Sequence, residues 1–206
     1  MALSSSGATP IFVLASASPR RRELLAQIAL SPDLIEAADL DETPLARESA
    51  EPHALRLAEQ KARIVGARHP GAFILGADTV VACGRRILPK ALDRETARQC
   101  LSLLSGRRHR VCGGIALLCP DGGLRRRAVL SIVTFKRLDK FEIEDYLAAE
   151  EWHGKAGGYG IQGLAARFVR FLSGSYSNVV GLPLYETVQL LAGQGYAPAV
   201  RVRIPP

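Results

Sequence analysis

The chain has 206 residues, 48% of them hydrophobic and 23% charged, with a formal net charge of +7. That length suits one domain with a real core, and the positive balance points to an anionic partner: nucleotide, nucleic acid or an acidic surface. Cys83, Cys100, Cys112 and Cys119 form no C-x-x-C pair and His53, His69, His109 and His153 are scattered, which argues against structural zinc. There is no secretory leader pattern and no apolar run of about 18 residues, so the reading is of a cytoplasmic protein.

Residues 11–15 read as a short apolar strand. Ser18 then has the chemistry of a helix N-cap and Pro19 suits the first helical position, with Leu24, Leu25 and Ile28 on one apolar face. Arg20, Arg21 and Arg22 fall in the first turn, where the macrodipole is already positive and each cation costs up to about 1 kcal/mol. Strand, small-residue turn and cationic helix start together form a phosphate-type anion site. The same arginines would serve as a solvated face, and this stretch alone leaves both readings open.

Residues 37–44 form an acidic loop with Asp39, Asp41 and Glu42. Residues 51–68 predict a helix with Ala54, Leu57, Ala58, Ala62 and Val65 on one side and Lys61 and Arg63 among the polar positions, stopped by His69-Pro70-Gly71. Residues 72–77 read as a buried strand that delivers Asp78-Thr79 at its end, continued by 80–83. A turn at 84–86 and a loop at 88–90 lead to a helix over 93–104. Strands at 110–119 and 124–136 flank a hairpin turn, Pro120-Asp121-Gly122-Gly123. A helix over 141–149, a glycine-rich loop over 155–163, a strand near 166–172 and a last helix over 184–191 complete the order. The tail, 197–206, reads as extended or frayed.

Asp78 is the strongest catalytic candidate. A carboxylate after a buried strand is costly unless it meets a metal or donors, or serves as a base; turn capping is the plainer reading. Thr79 beside it offers a hydroxyl to substrate. Lys61, Lys90 and Lys155, with Arg20, are the residues to neutralise a polyphosphate, although each lysine taken alone reads as solvent-exposed. Asp41, Glu42 and Asp78 are hard oxygen ligands suited to Mg²⁺ or Mn²⁺. In Lys155-Ala156-Gly157-Gly158-Tyr159-Gly160-Ile161-Gln162-Gly163, four glycines permit close backbone approach to a ligand, and Gln162 can donate and accept at a base edge. The spacing fits neither a Walker A loop nor a dinucleotide fingerprint. The runs Arg107-Arg108-His109-Arg110 and Arg125-Arg126-Arg127 read as solvated strand edges, and the lack of interleaved aromatics argues against nucleic acid.

In order along the chain, Leu14-Ala15-Ser16-Ala17-Ser18-Pro19-Arg20-Arg21, Gly76-Ala77-Asp78-Thr79-Val80-Val81, Leu104-Ser105-Gly106 before His109, the 155–163 loop and Val180-Gly181-Leu182-Pro183 resemble the Maf family of nucleoside triphosphate pyrophosphatases. The resemblance covers most of the chain. It implies an α/β fold: one Maf-like domain over 1–206 (motif-bearing part about 11–192), with a long curved mixed sheet flanked by helices and two lobes around a cleft. It also implies a cytoplasmic enzyme of an often homodimeric kind that cleaves nucleotides to the monophosphate and pyrophosphate with a divalent metal. By position, Asp78 matches the catalytic acidic residue, Arg20, Thr79 and Gln162 match positions tied to substrate specificity, and Glu42, Lys61, Lys90 and Lys155 match polar positions of the family cleft. In the scheme that follows, Ser18 and Arg20 at the helix start hold the triphosphate with the lysines, and Glu42 and Asp78 hold the metal. The Tyr159-Gly160-Ile161-Gln162-Gly163 form is similar to the dTTP/UTP-cleaving subgroup rather than the one acting on 7-methyl-GTP. The family usually has Gly-Lys-Pro where this chain has Leu88-Pro89-Lys90-Ala91. The competing readings are a 7-methyl-GTP pyrophosphatase and a non-enzymatic, nucleotide- or nucleic-acid-binding regulator of cell division.

Overall fold

The computed structural model describes residues 10–196; the tail over 197–206 lies outside them. The first strand, β1 (Phe12–Ala15), leads into α1 (Pro19–Gln27). Ser18 occupies the N-cap and Pro19 the first helical position, but the Ser18 hydroxyl makes no capping bond. Ile28 falls outside α1 and is exposed, so only Leu24 and Leu25 of its expected face are buried. After β2 (Leu34–Ile35) and an irregular loop comes α2 (Ala50–Gly66).

Next is β3 (Phe73–Cys83), eleven residues long. It runs straight through Asp78, which therefore sits in the middle of the strand and not at its end. The segment expected as turn and loop holds β4 (Arg86–Leu88) and β5 (Lys90–Ala91). Helix α3 (Arg94–Leu104) starts on Asp93, whose side chain accepts the Thr96 N–H. The hairpin of β6 (Arg108–Leu118) and β7 (Leu124–Phe135) forms as expected. Helix α4 (Lys140–Ala148) begins with a capping box between Asp139 and Glu142. Then come β8 (Lys155–Ala156), a 3₁₀ turn over Leu164–Phe168 that takes the start of the strand expected near 166–172, and β9 (Val169–Ser173), which forms the rest of it. A short helix that the sequence reading missed, α5 (Tyr176–Val180), precedes α6 (Leu184–Ala192).

The main sheet has the order β2-β1-β3-β6-β7-β9, with β4 also paired to β3; β5 and β8 make a separate two-stranded sheet. Pairings β1–β2 and β1–β3 are parallel and the others antiparallel, so the sheet is mixed. Alternation along the strands sorts the core into two layers. Val13, Ala15, Ile74 and Ala116 meet Ala58, Ala62 and Val65 of α2. Phe12, Leu14, Leu75 and Leu117 face the other way, toward Leu25 of α1 and Leu190 and Leu191 of α6, in a core that continues through α3, α4 and Trp152.

Helix α2 rests almost on the sheet backbone. A Cβ on Gly76 would fall 2.1 Å from Ala58 O, and one on Gly114 would fall 2.3 Å from Ala54 O. Only glycine permits that approach, and it brings the next turn of α2, with Lys61, down onto β3.

Of the two arginine runs expected at strand edges, the first is not at one and the second is. Strand β6 lies inside the sheet, so the 107–110 run does not guard an edge: Arg108 and Arg110 are exposed, whereas His109 is buried. Strand β9 pairs only with residues 132–135 of β7, which leaves exposed Arg125, Arg126 and Arg127 on a stretch open on one side among the described residues.

Candidate active site

One gap in the pairing places the site. Strand β1 pairs with residues 73–76 of β3 and β4 with residues 81–83, while β6 follows the opposite edge through 74–82. Residues 77–80 therefore have β6 on one side and no strand on the other among the described residues. The chain leaves the carboxyl end of β1 here to begin α1, which opens a crevice of the kind that takes ligands in α/β sheets.

Side-chain alternation splits the two polar residues in the gap. Asp78 points to the α2 face, is 4% exposed, and accepts from Lys61 Nζ at 2.6 Å. Lys61 is itself buried; it belongs to the inward stripe of Ala54, Leu57, Ala58, Ala62 and Val65 and not to the polar face expected for it. Its ammonium also meets Glu42 Oε1 at 2.7 Å, and Glu42 Oε2 receives Lys90 Nζ. Burial works to raise the Glu42 carboxyl, but the two lysines outweigh it and hold it down at about 2. The Leu88-Pro89-Lys90-Ala91 variation thus leaves Lys90 within reach of the site.

Thr79 points to the opposite face and donates to Gly181 O at 3.2 Å. Beside it lies Arg21, buried, with Nε donating to Gly181 O (2.9 Å), one terminal nitrogen to Ser16 Oγ (2.9 Å) and the other to Thr79 Oγ1 (3.4 Å). Burial pulls this guanidinium below its ordinary value, and Asp78 counters that pull. Arg21 was expected only as part of the cationic helix start, with Arg20 singled out, and Ser16 was not singled out. Their signal was present, since a helix beginning at Pro19 turns Arg20 and Arg21 about 100° apart, but which of the two faces inward depends on α5 and Gly181.

The glycine loop forms the far wall. Gly157 and Gly158 have φ of +69° and +68°, and a Cβ on Gly157 would fall 2.9 Å from Val81 Cγ1. Tyr146 Oη accepts the Gly160 N–H at 3.1 Å, and Tyr159 Oη lies 2.8 Å from His109 Nε2. Burial pushes His109 down to about 4, so its ring is neutral near pH 7. Lys155 Nζ donates to Glu151 O; burial first, then Arg20, lowers its pKa.

Ser18, Arg20, Asp78, Thr79, Lys90, Lys155 and Gln162 line one hollow of about 110 Å³. An adjoining one of about 370 Å³ shares Ser18, Arg20, Arg21 and Lys90 with it and adds Glu42 and Lys61. The expected substrate and catalytic residues thus meet in one crevice, where Arg20, Arg21, Lys61, Lys90 and Lys155 face the carboxylates of Asp78 and Glu42. Such a surplus of cations around a strand gap suits a polyanion.

Sheet order, crevice and charge define an α/β protein of the phosphoanion-binding kind. The chain belongs to the Maf-like protein family, whose pattern matches residues 11–194. It is 66% identical over 188 residues to the dTTP/UTP pyrophosphatase of Paramagnetospirillum magneticum, covering 91% of this chain and 99% of the relative. It is 59% identical over 191 residues to the dTTP/UTP pyrophosphatase of Caulobacter vibrioides, covering 93% and 99%. Among solved structures it is similar to a nucleoside-triphosphatase / dITP/XTP pyrophosphatase from Mycobacterium abscessus, with 17% identity, a TM-score of 0.41 and coverage of 92% and 98%.

Proposed function

We propose that this protein hydrolyses dTTP and UTP to the monophosphate and pyrophosphate. The observation that carries the reading is the buried Asp78–Lys61 pair, joined by the half-buried Glu42, at the open edge of β3, inside a crevice ringed by further cations. The names of the relatives supply the nucleotide.

Arg20, Lys90, Lys155 and the Ser18 hydroxyl hold the triphosphate. Arg21 braces the crevice wall by tying Ser16, Thr79 and Gly181 together. Asp78 orients water and takes its proton as the water oxygen bonds to the α-phosphorus; the α–β bridging P–O bond breaks, and its electron pair leaves with pyrophosphate. Lys61 holds the Asp78 carboxylate in place for that step through its 2.6 Å contact. Gln162, exposed at the end of the glycine loop, reads the pyrimidine edge.

Glu42 and Asp78 approach one ammonium from two sides, and a pair of hard oxygen donors fits a divalent cation. Among the described residues no third His, Cys, Asp or Glu joins them, so phosphate oxygens and water would complete the shell. Bound there, Mg²⁺ or Mn²⁺ would supply positive charge to the phosphate oxygens as the leaving group departs.

No helix among the described residues is long and apolar enough to cross a membrane. Residence in the cytoplasm and a homodimer belong to the same proposal.

The test is pyrophosphate release from dTTP, UTP, CTP, 7-methyl-GTP, dATP and GTP with Mg²⁺ or Mn²⁺, beside Asp78→Asn. Selective release from dTTP and UTP, lowered at least about 100-fold in the variant, is expected. Preference for 7-methyl-GTP overturns the substrate; no release from any nucleotide, with salt-sensitive DNA binding instead, favours a regulator.

A further inference from the structure

Glu42 reaches Lys61 and Lys90 from a loop that has no regular structure between β2 and α2. Its side chain is about one-third exposed and meets the site through those two lysines. What holds the loop lies outside the crevice. Arg56, on α2, donates from Nε to Glu48 Oε1 at 2.7 Å and from a terminal nitrogen to Glu48 Oε2 at 2.8 Å, a two-pronged pair. The same terminal nitrogen donates to Thr43 O at 3.2 Å, on the residue next to Glu42. Glu48 Oε2 in turn accepts the Leu45 N–H at 2.9 Å, and the Glu48 N–H donates to Leu45 O at 3.0 Å. His53, buried on the next turn of α2, has Nδ1 2.8 Å from Glu48 Oε2 and 3.0 Å from the same terminal nitrogen of Arg56.

We infer that Glu48, His53 and Arg56 form a clasp that fastens the 43–48 loop to α2 and so sets the position of Glu42 for the reaction. They are positioning residues, and this inference rests on the proposed hydrolase reading. The geometry favours it over a general surface salt bridge in two respects. The Glu48 side chain is only 8% exposed, and the fork is used on both prongs while its second nitrogen also reaches backbone. Because α2 is seated directly on β3 at Gly76, the clasp refers Glu42 to the same rigid element that carries Lys61. One helix therefore places both partners of the Asp78 ion set.

The test uses Arg56→Lys, which keeps the charge and loses the fork, alone and combined with Glu42→Gln. Residual rates are read with radiolabelled dTTP. Arg56→Lys should lower kcat/KM about 10-fold in the native chain and less than 2-fold in the Glu42→Gln background. Hydrogen exchange of the Leu45 and Glu48 amides should quicken at least 10-fold, with α2 and β3 amides unchanged. Additive losses overturn the inference, as does unchanged exchange at Leu45 and Glu48. Should Arg56→Lys misfold, Glu48→Gln is put through the same cycle. If the native chain cleaves no nucleotide, the hydrolase reading fails, while the exchange arm still decides whether the clasp holds the loop.

Discussion

Replacing Lys61 by methionine keeps the length of the side chain and removes its ammonium. Asp78, 4% exposed, would lose the donor now 2.6 Å away and face an apolar group in its place. Removing one partner of a buried ion pair costs about 3–5 kcal/mol, because a charge is left without compensation. Arg21 still acts on Asp78 electrostatically and Lys90 still holds Glu42, so the lower end, about 3 kcal/mol, is expected. In a chain of this size about 1 kcal/mol moves Tm by about 2–4 °C, which gives a drop of roughly 6–12 °C by calorimetry. Adding Asp78→Asn should recover much of it, since a neutral amide needs no counter-ion. Mn²⁺ should raise Tm more in Lys61→Met than in the native chain, because two carboxylates then lack their shared cation. A Lys61→Met protein within about 1 kcal/mol of native, or one further destabilised by Asp78→Asn, would refute the argument that burial of Asp78 depends on this lysine.

Gly76→Ala pushes α2 off the sheet, since its Cβ would lie 2.1 Å from Ala58 O and 2.8 Å from Ala62 N. A loss of about 1–3 kcal/mol is expected, together with lower activity as Lys61 withdraws from Asp78; native Tm and turnover would contradict the close seating. His109→Gln tests burial of a neutral ring. The folded pKa of about 4 lies below the ordinary 6.5, so His109 contributes stability above pH 6.5 that is lost as pH falls to 4, about 3 kcal/mol at most. Urea unfolding at pH 7 and pH 4.5 should show a shallower loss in the variant, and an equal loss would exclude that role. Gln162→Ala should reorder nucleotide preference more than it slows the best substrate; an unchanged ranking in the pyrophosphate assay removes Gln162 from base reading.

Features written in local chemistry were legible from the residues. Asp93 and Pro19 mark helix starts, Pro120-Asp121-Gly122-Gly123 marks the hairpin, and the ordered motifs pointed to the residues that line the crevice. What depended on distant partners was not. Lys61 carries a charge and was placed on the polar face, yet its buried position is set by Gly76 and Asp78, which lie outside α2. The mid-strand place of Asp78 follows from β6 pairing straight through 74–82, which no property of an aspartate signals. Helix α5 is only five residues, too short for a periodic pattern, and is held by Ser175 capping Asn178. His109 sits among arginines in sequence but under Tyr159 in space.

Arg21 bonds to Gly181 across 160 positions of the chain. During synthesis at about 5–20 residues per second, roughly 8–32 s separate the emergence of the two. Through that interval the arginine has Ser16 beside it but no Gly181 carbonyl, and the crevice wall lacks its brace. The site can close only after most of the polypeptide has left the ribosome, so a nascent or truncated chain ending before residue 181 carries the cations of the crevice without the geometry that makes them act together.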